Sequence, residues 1–166
     1  GEHGLWSKFT LFEQSTRVPL VIYVPGAEGN GRYCNEIVEL VDLMPTFCDL
    51  WGLEKDARYE GISMTPLLED PNQPWKTAAF SMIPLRGLGR SVRTEQFRYA
   101  EWRKTTAHPT SDEPAYAFEL YDLHADPLEQ KNVVDKPEYQ EVREDLADLL
   151  RKGWKAALPP KWREYR

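Results

Sequence analysis

The chain begins GEHGLWSKF, and a carboxylate, an imidazole and an ammonium group, Glu2, His3 and Lys8, stand among glycines and a tryptophan within its first eight residues. Such a stretch reads either as the loose end of a small domain or as one wall of an active site whose other wall lies elsewhere. A second concentration of chemistry is cationic: Arg86, Arg90, Arg93, Arg98, Arg103 and Lys104 crowd one stretch and could meet a small anionic substrate. Alternating arginines on strands are more often the wet face of a sheet, with Arg93 or Arg98 paired to Glu95, Glu101 or Glu119. Asp122 and Asp126 in YDLHADP place two carboxylates close in sequence. They lack the further oxygen ligands that calcium needs, so an Asp-Pro turn is expected there.

Composition narrows the classes. With 166 residues, 41% hydrophobic, and six Trp, eight Tyr and six Phe, the chain can bury a sizeable core. Its formal charge of -6, from 27 acidic against 21 basic residues, argues against nucleic acid as a partner, because counterion-release binding needs a basic face. Cys34 and Cys48 are not spaced like a metal knuckle, and Cys48 on an apolar stripe reads as a buried thiol. No apolar run approaches the length of a membrane span and no leader pattern is visible, so the compartment is not readable from these residues.

These residues need elements to position them. RVPLVIYVPG, from Arg17, is a continuous apolar run between prolines and is expected to be a strand buried on both faces, as in the centre of an α/β sheet. GAEGNGRYCN, residues 26 to 35, reads as a loop. A short extended piece over Glu36 to Val41 then leads into a helix that Asp42 caps, with Pro45 in its first turn and Gly52 ending it. The turn-rich stretch from Glu54 to Pro74 marks a boundary between two subdomains near Asp70. Four strands follow, from Thr77, Gly89, Phe97 and Ala117, as an antiparallel meander, with an exposed loop over Lys104 to Ala115. Pro137 to Ala156 is expected to be an amphipathic helix with Asp135 as its cap and Tyr139, Val142, Leu146, Leu149, Leu150 and Trp154 on one face. That helix can cover the sheet. A buried strand at Val18 requires partner strands that the rest of the chain does not supply, so the sequence looks truncated at its front.

Residues 1 to 26, GEHGLWSKFTLFEQSTRVPLVIYVPG, resemble the segment of type I sulfatases in which G-E-H-G-x-W-x-K leads to R-V-P-L-I-x-Y-x-P-G. VELVDLMPTFCDLWGL, GISMTPLL and FELYDLHADPLEQKNV resemble later segments of the same family, in the same order. GRSVRTEQFRYAEW is similar to the corresponding stretch of its iduronate-2-sulfatase subfamily. The resemblance implies an alkaline-phosphatase-like α/β fold. Residues 1–70 would be the C-terminal segment of the catalytic α/β domain. Residues 71–166 would be a smaller α+β subdomain, a four-stranded antiparallel sheet with a helix. It further implies hydrolysis of sulfate esters, here of a sulfated uronic acid or glycosaminoglycan, by a formylglycine made from Cys or Ser in C/S-x-P-x-R, with a divalent metal, usually calcium. Cys34, in CNEIV, and Cys48, in CDLWG, do not fit that motif, and the Asp-His metal pair of the family would precede Gly1. The nucleophile and the metal ligands are therefore expected in an N-terminal part of the sulfatase, on the same or a separate chain, and these 166 residues alone should be inactive.

Lys8 matches the family lysine that contacts the sulfate, and a fixed ammonium suits the charge that develops there. His3 matches a family histidine that could bind substrate or brace the loop, Gly1 and Gly4 allow a tight backbone turn, and Arg98 and Arg103 could meet a uronate carboxylate or a neighbouring sulfate. Two other readings stand beside this one. The first is a phosphatase or phosphonate monoester hydrolase of the same superfamily, and the second a non-catalytic module that binds sulfated carbohydrate. By resemblance the protein would be secreted, periplasmic or lysosomal, with any signal upstream of Gly1.

Overall fold

The computed structural model describes residues 1–6, 8–84, 87–104 and 113–163. Arg86 and most of the expected loop from Lys104 to Ala115 lie outside the described residues. In chain order the elements are α1 (Glu13–Thr16), α2 (Leu43–Trp51), α3 (Thr65–Glu69), β1 (Ala79–Ile83), β2 (Leu88–Arg93), β3 (Phe97–Arg103), β4 (Ala117–Asp122), α4 (Gln140–Lys152) and α5 (Pro160–Arg163). They form two compact units, Gly1–Val18 with Ala78–Ala157, and Pro19–Thr77 with Leu158–Arg166. The first eighteen residues belong to the sheet unit. No described helix is long and apolar enough to cross a membrane.

In the sheet unit the four strands pair antiparallel in the order β1-β2-β3-β4, the expected meander. Between β2 and β3 only Thr94, Glu95 and Gln96 intervene, and the Thr94 amide closes the hairpin by donating to the Phe97 carbonyl at 2.8 Å. Register sorts the side chains by the two-residue period of a strand. Phe80, Val92, Tyr99 and Leu120 stand opposite one another across the four strands, and this row packs with Val133, Val134, Leu146 and Leu150 into the main core. The apolar stripe of α4 thus closes that face, as its periodicity predicts. The helix is shorter than expected: a 3-10 turn at Pro137–Tyr139 precedes it, and Gly153, at φ 78°, ends it, so Trp154 belongs to a separate 3-10 turn. Asp135 does not cap it; its carboxylate lies 3.8 Å from Arg143.

Asp122 and Asp126 build a turn. The Asp126 amide donates to the Asp122 carbonyl at 2.7 Å, and Asp122 Oδ1 accepts from the amides of His124 and Ala125. Burial pushes the Asp122 carboxyl up, but hydrogen bonds from Gln96, those two amides and the Tyr139 hydroxyl outweigh it and hold the group below its ordinary value of 3.8.

In the other unit the run after Val18 departs from expectation. Residues 18–24 carry no ladder among the described residues, and Val21 is 92% exposed. The side chain of Asn30 clasps both the amide and the carbonyl of Val24. Helix α2 begins after Asp42 and ends at Gly52, whose φ of 65° places it in the left-handed region that closes helices. Asp42 holds the expected position but not the expected bond. Its wholly buried carboxylate accepts from the amides of Ile62 and Glu39 and from the Lys76 ammonium at 2.7 Å, and Lys76 also reaches Glu39 at 2.8 Å. The bond from the Glu39 amide is half of a capping box on the 3-10 turn Leu40–Asp42, and the same carboxylate supplies the counter-charge that a deeply buried ammonium needs. One face of α2 stays uncovered, with Met44 and Trp51 exposed.

Candidate functional site

The N-terminal segment is held on the face of the sheet opposite α4. Leu11 packs with Ile83 and Ala100. Phe12 lies over the Arg98 guanidinium, 4.8 Å from its ring centroid, and meets Tyr121 edge-on at 5.7 Å. The Tyr121 ring, cross-strand from Arg98, contacts the same guanidinium, also at 4.8 Å. The Glu13 carboxylate pairs with Arg93 at 3.3 Å, and the Glu13 amide donates to Glu129 Oε2 at 2.7 Å. Glu129 Oε1 in turn accepts from Arg98 Nε. Burial, with Glu119 adding to it, pushes the Tyr121 hydroxyl up to about 12, so it stays neutral at ordinary pH.

This segment carries His3 and Lys8. The His3 imidazole stacks on the Phe12 ring, centroids 3.8 Å apart and planes within 4°. With Glu2, Trp6, Thr10 and Gln14 it lines an open cavity of about 400 Å³. Lys8 is exposed, and no ion pair involves it among the described residues. An unpaired ammonium can donate hydrogen bonds to a tetrahedral oxyanion.

The two arginines expected to reach substrate are placed otherwise. Arg98 is 1% exposed and bound to Glu129, so its guanidinium presents no face to a substrate in this chain. The strand alternation correctly sets Arg93 and Arg98 on the face away from α4, but Leu11–Glu13 covers that face instead of water. Arg103 shares the Glu101 carboxylate with Arg90, at 3.4 and 3.2 Å. The four candidate side chains therefore do not converge: His3 lines the cavity, Lys8 follows it in an exposed loop, Arg98 is internal and Arg103 is paired with Glu101 of its own strand. Phe12, Glu13 and Glu129 escaped the sequence reading, although Glu129 belongs to the same DPLEQKNV run that carried the resemblance.

The described residues include no group of three or more His, Cys, Asp or Glu side chains placed to hold a metal ion. The buried carboxylates Asp42 and Glu129 are committed to Lys76 and Arg98. Cys34 and Cys48 are free thiols, one exposed and one buried. The described residues by themselves do not fit a metal centre, and neither cysteine stands in a C/S-x-P-x-R motif.

The sequence profile described as N-sulphoglucosamine sulphohydrolase, C-terminal, matches residues 1–156. The chain belongs to this sulfatase family. Among related proteins, the N-acetylglucosamine-6-O-sulfatase of Bacteroides thetaiotaomicron is 32% identical over 154 residues, covering 90% of this chain and 27% of that protein. Iduronate 2-sulfatase of Mus musculus is 28% identical over 202 residues, covering 84% and 37%. A structure solved in complex with its substrate D-glucosamine-2-N,6-O-disulfate matches with a TM-score of 0.77 at 30% identity, over 91% of this chain and 31% of that one. A phosphonate monoester hydrolase from Silicibacter pomeroyi matches with a TM-score of 0.68 at 28% identity, over 89% and 30%. This sulfatase-family chain thus spans between 27% and 37% of the curated relatives just named. Its mixed α/β architecture, an antiparallel sheet with a C-terminal helix, is that of the C-terminal portion of the alkaline-phosphatase-like fold.

Proposed function

We propose that this chain is the C-terminal portion of a sulfuric ester hydrolase that acts on a sulfated sugar, a sulfated uronic acid or glycosaminoglycan unit in the manner of the iduronate-2-sulfatase subfamily. The observation that carries the proposal is the family match over residues 1–156, joined to the 0.77 TM-score against a structure holding a disulfated glucosamine. In the complete enzyme residues 1–70 would complete the catalytic α/β domain and residues 71–166 would form the smaller subdomain. The exposed apolar side chains at Leu20, Val21 and Tyr23 support that assignment, because an extended apolar run of this kind suits the interior of a larger sheet. The N-terminal part is then the partner that supplies nucleophile and metal, and a secreted, periplasmic or lysosomal setting follows the family.

The contribution of this chain is recognition of the anion. Lys8 donates ammonium hydrogen bonds to the sulfate oxygens and stabilises charge that develops there. His3 binds substrate from the cavity wall, and a histidine of the complete enzyme protonates the leaving alcohol. Arg103 meets a uronate carboxylate or a neighbouring sulfate. A phosphonate or phosphate monoester hydrolase is the second reading, favoured by the Silicibacter pomeroyi match. Assaying the complete protein against an aryl sulfate, a sulfated uronide and a phosphonate monoester separates the two. Preference for the sulfate esters supports the first reading, and preference for the phosphonate overturns it. Residues 1–166 alone should turn over neither class; should they merely bind sulfated oligosaccharide with nothing else required for function, the chain is a carbohydrate-binding module instead.

A further inference from the structure

Two non-glycine residues among those described lie in the left-handed backbone region, His3 at φ 56° and Glu129 at φ 55°. Each such residue costs about 1–3 kcal/mol and persists only where the surroundings over-determine it. They are more than a hundred positions apart in sequence, yet they are the two ends of one continuous cluster. Glu129, 1% exposed, accepts the Glu13 amide with one oxygen and Arg98 Nε with the other. The Arg98 guanidinium lies against the Phe12 ring, and the Tyr121 ring, edge-on to Phe12, contacts the same guanidinium. Phe12, fixed by its ring through Arg98 and by the next peptide through Glu13, carries the stacked His3 imidazole.

We infer that Phe12, Arg98 and Glu129 are positioning residues for His3: the buried ion pair locks the Phe12 ring, and the ring sets the plane of an imidazole that lines the cavity. The inference rests on the sulfatase reading of the cavity. A guanidinium is suited to the task because it is planar, keeps its charge and stacks on aromatic faces while donating in its own plane. An ion pair serving stability alone gains little over apolar packing. This one grips the two sides of the residue that bears the imidazole, and the strained backbone falls at the gripped end and the presented end.

The test uses the complete enzyme with Phe12→Leu, Phe12→Tyr, Arg98→Lys, His3→Ala and the double variant His3→Ala/Phe12→Leu. Phe12→Leu should lower kcat/KM for the sulfate ester by roughly tenfold to a hundredfold, the loss expected when a reacting group is misplaced by about an ångström. Phe12→Tyr, which keeps the ring, should restore kcat/KM to about the wild-type level, and Phe12→Leu should cost nothing further once His3 is alanine, because coupled residues are not additive. In proton NMR the His3 ring resonances should sit upfield in wild type and Phe12→Tyr, and move downfield in Phe12→Leu and in Arg98→Lys. Arg98→Lys supplies the second readout if Phe12→Leu fails to fold. Unmoved His3 resonances, or equal losses from Phe12→Leu with and without His3, overturn the positioning role. A wild-type enzyme with no sulfate esterase activity overturns the sulfatase reading instead, while the NMR comparison still decides whether the stack exists.

Discussion

The two faces of the antiparallel sheet are closed by opposite means. On one, Phe80, Val92, Tyr99 and Leu120 meet the apolar stripe of α4, and burial of hydrocarbon does the work. On the other, the row Ala79, Arg93, Arg98 and Tyr121 is covered by a segment from the start of the chain through an ion pair, stacked rings and backbone donors to Glu129. The first kind of closure tolerates substitution by volume and is insensitive to the partner's chemistry. The second depends on each group finding its counterpart, since a charge buried without one is far more costly than a cavity of the same size.

Breaking one contact on each face measures that difference. Glu129→Ala strands the buried Arg98 charge and should destabilise by about 3–5 kcal/mol, whereas replacing both together, Arg98→Met with Glu129→Leu, should recover most of the loss; urea unfolding of the single and double variants checks it. On the α4 face Leu150→Ala should cost about 2–5 kcal/mol, with no partner substitution able to rescue it by restoring charge balance. Equal rescue on both faces would remove the distinction. Arg93→Ala, which loses the partly exposed pair with Glu13, should cost roughly 0.2–1 kcal/mol, and added salt should shrink the difference.

Acid sharpens the contrast further. Asp122 lies on the α4 side, where it accepts from the Tyr139 hydroxyl, and its folded carboxyl is held below 3.8. A depressed carboxyl contributes stability that is present above the unfolded value and lost as pH falls through the folded one. Asp122→Asn should therefore flatten the decline in unfolding midpoint below about pH 3.8, leaving the neutral midpoint lower than wild type. A decline as steep in the variant as in wild type would assign the acid sensitivity to other carboxylates.

The strands, their order and the covering helix were legible because alternation and the three-to-four residue stripe are local patterns, and Glu95-Gln96 is too short to allow anything but a hairpin. The run after Val18 was read as a buried strand from the same kind of pattern, yet Val21 is exposed, because hydrophobicity expresses a demand for neighbours and does not create them. Asp42 was read as a cap from its position alone. The Lys76 ammonium that claims its carboxylate is 34 positions away, and no window of local sequence contains both.

From the residues alone came the fold class, the sulfatase kinship, the absence of C/S-x-P-x-R around either cysteine, and the candidates His3 and Lys8. Short-range periodicity carried the strands and helices, while the fold class, the kinship and the two candidates came from the resemblance of whole segments to that family. Only the tertiary structure decided that Arg98 is internal and that Glu129 is its partner. It also decided that Phe12 stands between that pair and His3. Register chooses the face of a strand, but which distant segment lies on that face is chosen by packing and charge pairing across the whole unit.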